Sequence, residues 1–310
     1  MSAPTIAVRK TSEPAPGEVR KGGWVVRITI IVIAVVWLIP TVGVLVTSFR
    51  PENLVHTSGW WTALAHPFRA AEWTMENYGL AIDAQGFGNA FLNNLAVAIP
   101  ATVIPITIAA FAAYAFAWME FRGRNILFVL VVGLMVVPLQ MALIPTLRLF
   151  TYGAVLFGYR IFPDLDLTRT FLGIWLAHTA FGLPLATYLL RNYIGSLPSS
   201  IIESAKIDGA DHFTIFWRLI VPLSIPALAA FTIFQFMWVW NDLLVAYVFL
   251  GGAGQNRVLT IALRELLGAR GENWHLLTAG AFISMSVPLA VFFSLQKYFV
   301  RGLTAGAVKG

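Results

Sequence analysis

Residues 194–211 read IGSLPSSIIESAKIDGAD, a short polar island between two apolar stretches, 170–190 and 219–241, that carry no Asp, Glu, Lys or Arg. Ser200 followed three residues later by Glu203 has the spacing of a capping box, in which the two side chains satisfy free amides at a helix start. Asp208-Gly209 then predicts the end of that helix, because glycine accepts the left-handed backbone that side chains oppose. Asp211 stands where it can cap a second helix, whose apolar residues Phe213, Phe216, Trp217 and Ile220 fall at i, i+3, i+4 and i+7. The connection over 195–221 is therefore expected to be two short helices joined by a tight turn and lying along a membrane surface.

The flanks of this island repeat along the chain. Charge-free stretches also occupy 28–49, 84–119, 125–147, 243–256 and 273–296. The 310 residues are 58% hydrophobic and 12% charged, against roughly 25% charged in an average soluble domain. A helix needs about 20 residues to cross the hydrocarbon core. The 243–256 stretch is too short and joins the end of its predecessor, which leaves six spans in an all-α membrane protein. Their expected cores are Ile28–Ser48, Phe91–Trp118, Ile126–Pro145, Phe171–Leu190, Pro222–Val248 and Ala279–Val300.

Six spans put both termini on one side, and the basic residues choose it. With the N-terminus inside, the inner segments hold Arg9, Lys10, Arg20, Lys21, Arg27, Arg122, Arg124, Arg191, Lys206, Arg218, Lys297, Arg301 and Lys309, which is 13 of the 21 Lys and Arg. Both termini and the 195–221 connection are thus expected in the cytoplasm of a multi-pass protein of the bacterial inner membrane. This topology accounts for the net charge of +6 without a nucleic-acid partner, since the basic residues form no continuous patch. Residues 1–24 read as a disordered cytoplasmic tail ahead of a membrane domain over 25–310. The first apolar run has no small-residue cleavage site after it and is expected to stay as a span. Absence of cysteine excludes disulfides and thiolate chemistry. The five His are dispersed, no pair has the helical spacing of a metal site, and no metal or cofactor is expected.

Between the first two spans, Phe49–Ala90 carries Trp60, Trp61 and Trp73 among turn formers, which suits an outer segment with its indoles at headgroup level. Glu120–Arg124 is a turn short enough to make spans two and three antiparallel neighbours. Pro138, Gln140 and Pro145 interrupt span three, and Pro184 does so in span four. A carbonyl freed by proline cannot be satisfied by lipid, so these kinks should face other helices or a watery cavity.

Glu203-Ser204-Ala205, Asp208-Gly209-Ala210 and Ile220-Val221-Pro222-Leu223 together resemble the Glu-Ala-Ala loop of binding-protein-dependent ATP-binding-cassette importers. Ser204 stands where the name-giving pattern has its first Ala and is nearly as small. Ala113–Ala117, Phe121-Arg122-Gly123-Arg124, Pro138-Leu139-Gln140, Ile144-Pro145, Trp240-Asn241-Asp242 and the run from Gly302 to Gly310 look like carbohydrate-uptake permeases similar to the smaller maltose-system subunit. The resemblance covers about 25–310. It implies a non-enzymatic permease subunit with four kinds of neighbour: a second, homologous permease, two cytoplasmic ATPase subunits, an extracytoplasmic solute-binding protein, and lipid. It also implies that Glu203, Ser204, Ala205, Asp208, Gly209 and Ala210 dock the ATPase.

Independently, no G-x-x-x-x-G-K-[ST] phosphate loop occurs and the dipeptide Gly-Lys is absent, so nucleotide chemistry would fall to a partner. The implied cargo is a di- or oligosaccharide, with glycerol-phosphate-type solutes as the alternative. An ion-coupled secondary transporter is the competing class, but it needs ionisable groups within spans, and only His178 and Asp242 offer themselves. Gln235, Trp238 and Asp242 stand at i, i+3 and i+7 of span five, so an amide, a ring and a carboxylate would share one face of the solute path. Gln140 and His178 join them as path candidates, with interhelical hydrogen bonding as the alternative role for both.

Overall fold

The computed structural model describes residues 23–307; the expected tail over 1–24 lies almost wholly outside them. The chain divides into two units, Met1–Val44 and Leu45–Gly310. Within the first lies most of helix α1 (Trp24–Ser48), an apolar helix of 25 residues with Pro40 inside it. The second unit contains all the remaining elements. After α1 come the short helices α2 (Glu52–Thr57), α3 (Trp61–Ala65) and α4 (Glu76–Asp83), and then α5 (Phe87–Trp118). Beyond these lie α6 (Arg124–Gly133), α7 (Leu139–Tyr152), a hairpin of β1 (Ala154–Leu156) and β2 (Tyr159–Phe162), and α8 (Phe171–Ile194). Helices α9 (Ser199–Ile207), α10 (His212–Trp240), α11 (Leu244–Leu250), α12 (Leu259–Leu266) and α13 (Trp274–Ala307) complete the unit.

Among the described residues, five helices are long and apolar enough to cross a membrane: α1, α5, α8, α10 and α13 up to Tyr298. The sixth expected span differs from the others. Arg124–Val136 and Leu139–Tyr152 meet at a bend of 110° and pass the same test only as a pair. Proline is the cause: Val137 before Pro138 is held extended (φ −71°, ψ 117°), the conformation that a following proline ring imposes. Pro145 and Pro184, also expected to interrupt, sit inside unbroken helices. The hairpin, with Ala154 paired to Phe162, corrects the all-α expectation in a small way.

In lipid, helices associate through packing and interhelical hydrogen bonds rather than the hydrophobic effect. Helix α5 meets these terms with small side chains: Ala90, Ala98, Ala101, Ala109 and Ala113 are fully buried, and its main partner is α8. Trp175 Nε1 donates to Ala96 O at 2.9 Å and Asn94 Nδ2 to Trp240 O at 3.2 Å, each bond adding about 0.6 kcal/mol in such surroundings.

The expected outer segment, Phe49–Ala90, is folded into short helices. Arg50, 1% exposed, donates to Ser58 O, Ser58 Oγ and Thr62 Oγ1 and pairs with buried Glu72 at 3.4 Å. Asn77 Nδ2 donates to the carbonyls of Ser48 and Arg50. A charge buried in this way is tolerated only when paired and hydrogen-bonded.

Candidate functional site

Helix α9 begins after Pro198, and no side chain caps it, so the expected capping box between Ser200 and Glu203 is not formed. Proline itself supplies the start, since its fixed φ suits the turn into a helix and it has no amide hydrogen to satisfy. Glu203 is exposed and makes no hydrogen bond or ion pair among the described residues. The helix ends as its sequence suggests. Gly209 has φ +82°, its N–H donates to Lys206 O at 3.0 Å, and Ala210 N–H donates to Ala205 O at 2.9 Å. These are the paired bonds of a Schellman motif. Asp211 Oδ1 then accepts from Thr214 N at 2.8 Å and caps the next helix, and that hydrogen bond holds its carboxyl below the ordinary value.

Beyond Asp211 the chain departs from expectation. The second helix is not a separate surface helix but the first turns of α10, continuous through one π-helical turn at Phe216–Ile220 into the fifth span. The wider turn changes the phase of the face. Ile215, Phe216 and Ile220 are buried, whereas Phe213 is 68% and Trp217 46% exposed. The span expected to start at Pro222 thus starts ten residues earlier, at His212.

The buried side of this region forms one apolar cluster in which Ile202 of α9 meets Tyr114 of α5, Leu190 and Ile194 of α8, and Phe216 of α10. Polar contacts pin it further. Tyr114 Oη lies 2.8 Å from His212 Nδ1, and Trp118 Nε1 donates to Ile194 O at 3.1 Å. Phe111 stacks on Phe216 with centroids 4.5 Å apart. Sequence reading missed Tyr114 and His212, since a tyrosine inside a charge-free stretch gives no signal of a partner 98 residues away.

A cavity of about 1040 Å³ lies between the broken third span, α8, α10 and Phe292 of α13. Its wall is apolar, with Met135, Pro138, Phe181 and Pro184 among the lining residues, and Gln235 and Trp238 are its hydrogen-bonding side chains. Gln235 is fully buried in that wall: its Nε2 donates to Ala101 O at 3.2 Å and its Oε1 has no partner. Gly182 makes room for it, since a Cβ there would stand 2.8 Å from the amide nitrogen and oxygen. Trp238 has its ring 6.2 Å from that of His178, which is fully buried behind it.

Three of the expected path residues, Asp242, Gln140 and His178, are not in the lining. Helix α10 ends at Trp240, so Asp242 does not share a helical face with Gln235 and Trp238. Its carboxylate instead caps α11, accepting from Val245 N at 3.2 Å and Ala246 N at 2.8 Å, with Oδ2 3.8 Å from His178 Nε2. Gln140 is exposed one residue beyond Leu139, which does line the cavity.

Residues 105–305 match the family described as the binding-protein-dependent transport system inner membrane component. The chain belongs to that family. Osmoprotective compounds uptake permease protein GgtD of Synechocystis is 56% identical over 92% of this chain and 91% of its own length. Alpha-glucoside transport system permease protein AglG of Rhizobium meliloti is 43% identical, over 93% and 97%. A solved bacterial ABC transporter involved in the import of the acidic polysaccharide alginate contains a chain of like fold, with TM-score 0.64 and 23% identity over 89% of this chain and 95% of that one. In agreement with the motifs of its sequence, the protein is a permease of binding-protein-dependent importers, built of membrane-spanning helices.

Proposed function

We propose that this family member is one of two permease subunits of an ATP-driven importer whose cargo is an uncharged sugar, a di- or oligosaccharide or a glucoside. The observation that carries the cargo class is the cavity wall. Trp238 faces, and the buried amide of Gln235 backs, a space otherwise lined by aliphatic and aromatic side chains, with no Lys, Arg, Asp or Glu among the described lining residues. An amide serves hydroxyl groups and an indole serves the C–H faces of a sugar ring, whereas an anionic solute such as a glycerol phosphate would require a compensating cation. The name of AglG, an alpha-glucoside transport system permease, supports a glucoside.

Coupling is assigned to the Ser199–Ile220 segment, with both termini and this segment on the cytoplasmic side. Support comes from what the segment leaves unsatisfied. Glu203 has no partner among the described residues, and Ile207 and Phe213 are 85% and 68% exposed. A soluble ATPase subunit covering Ser204, Ala205, Asp208, Gly209 and Ala210 would bury that apolar surface and pair that carboxylate. Because α10 is continuous from His212 into the span, a push on α9 reaches the cavity wall through a single helix. The second permease closes the open side of the cavity, and a solute-binding protein delivers cargo from the other face of the membrane.

The test is reconstitution in liposomes with the second permease, the two ATPase subunits and the binding protein, followed by uptake of a labelled neutral α-glucoside. Uptake should require ATP and every partner, and an excess of glycerol 3-phosphate should not compete. Uptake driven by an ion gradient without the ATPases would assign the chain to secondary transport instead.

A further inference from the structure

Away from the cavity, three side chains from distant parts of the sequence converge where α2 meets the start of α13. Glu52 and His56 stand one turn apart on α2, and His275 is the second residue of α13. The carboxylate divides its two oxygens between the imidazoles: Oε1 lies 3.9 Å from His56 Nε2, and Oε2 lies 3.9 Å from His275 Nε2. All three ligand atoms fall within 4.8 Å of one another. Among the described residues this is the one such group of three.

We propose that Glu52, His56 and His275 form a binding site for a divalent transition metal of the zinc class. Two neutral imidazoles and one carboxylate make a borderline nitrogen and oxygen donor set, which suits Zn²⁺ and its neighbours rather than Ca²⁺ or Mg²⁺. In a tetrahedral zinc site with bonds of about 2.0–2.1 Å, neighbouring ligand atoms stand roughly 3.4 Å apart. Glu52 and His56 are side-chain exposed by 61% and 43%, so they are free to close that difference, while His275 is fixed at 5%. Three protein ligands leave a fourth position for water.

His275 supplies the independent observation. The residue is 4% exposed and its Nδ1 is sealed from solvent with no hydrogen-bond partner, while Nε2 is turned to Glu52. Nε2, the nitrogen that faces the carboxylate, makes no hydrogen bond at that distance, so its lone pair is left for a metal ion. The ion would hold α2 against α13 and so staple the folded segment between α1 and α5 to the last span. This end of the spans is the one where α10 finishes, opposite the Ser199–Ile220 segment, so metal binding is separate from ATPase docking.

Zn²⁺ alone is titrated calorimetrically into the purified, tag-free full chain in lipid nanodiscs, with Co²⁺ absorption as a report on coordination geometry. One saturable site per chain is expected, with a tetrahedral cobalt spectrum and a rise in unfolding temperature on adding Zn²⁺. Glu52→Gln and His275→Gln should each weaken binding at least tenfold and abolish that rise, while His66→Gln, at a nearby exposed histidine, should change neither. Glu52→Gln alters an exposed side chain, so the test stands even where His275→Gln fails to fold. Absence of saturable binding, or Glu52→Gln and parent binding alike, would leave the cluster as an ion pair and overturn the proposal.

Discussion

The Ser199–Ile220 segment and the Gln235–Leu250 segment lie at opposite ends of the same helix, and both place a carboxylate beside a helix start. They use it in contrary ways. Asp242 is spent internally, accepting two amides of α11 next to buried His178. Glu203, whose spacing from Ser200 looks like a cap, stays exposed and unpaired because Pro198 has already set the helix start. Polar groups among packed spans must be satisfied by the chain itself, since lipid offers nothing. A charged group left over on a surface beside exposed Ile207 and Phe213 is available to another protein. Under the proposed function, the contrast separates residues that build the subunit from residues that address a partner.

The sharpest way to break the comparison is at Gly209. A Cβ there would meet nothing within 4 Å, so Val is opposed by the left-handed backbone at φ +82° and by any docked partner, not by crowding inside the chain. Gly209→Val is expected to lower solute-stimulated ATPase activity of the reconstituted importer by about tenfold or more, a left-handed cost of roughly 1–2 kcal/mol. Gly209→Asn, which tolerates that conformation, should recover most of it. Equal loss for Asn and Val would assign the defect to contact with the ATPase instead of backbone strain.

Trp238→Ala comes next. Uptake should drop severalfold while membrane insertion and co-purification of partners are kept, and uptake at the parental rate would remove Trp238 from the path. Asp242→Ala should lower stability by about 1 kcal/mol through loss of the α11 cap, read as an earlier thermal transition in detergent. Asp242→Asn keeps a capping oxygen and should stay close to parental in both stability and uptake. A strong uptake defect in the Asn variant with unchanged stability would restore Asp242 as a path residue.

The smallest effect is assigned to Glu203→Gln, which removes the charge and keeps the shape. A twofold to fivefold loss of ATPase recovery on co-purification is expected, with no change in thermal stability, because no internal cap is lost. A fall in stability without any loss of ATPase recovery would mean that the carboxylate serves the helix after all.

The sequence by itself determined the five unbroken spans, the turn at Asp208-Gly209 and the cap at Asp211, because each rests on local rules. A run of uncharged residues must leave water, glycine accepts φ +82° at the least cost, and a carboxylate three residues before an amide reaches it. Only the tertiary structure decided where those elements break and what they face. Periodicity extended α10 seven residues past Gln235 to Asp242, but the helix stops at Trp240, whose carbonyl accepts from Asn94 of α5. The choice among Pro138, Pro145 and Pro184 as the real bend was likewise invisible in sequence, since any of the three removes the same amide. Neither could spacing bring Glu52 and His56 to His275, or Arg50 to Glu72, because long-range pairs leave no period in the chain. Local rules act through the backbone within one turn, whereas these contacts depend on how whole helices pack against each other.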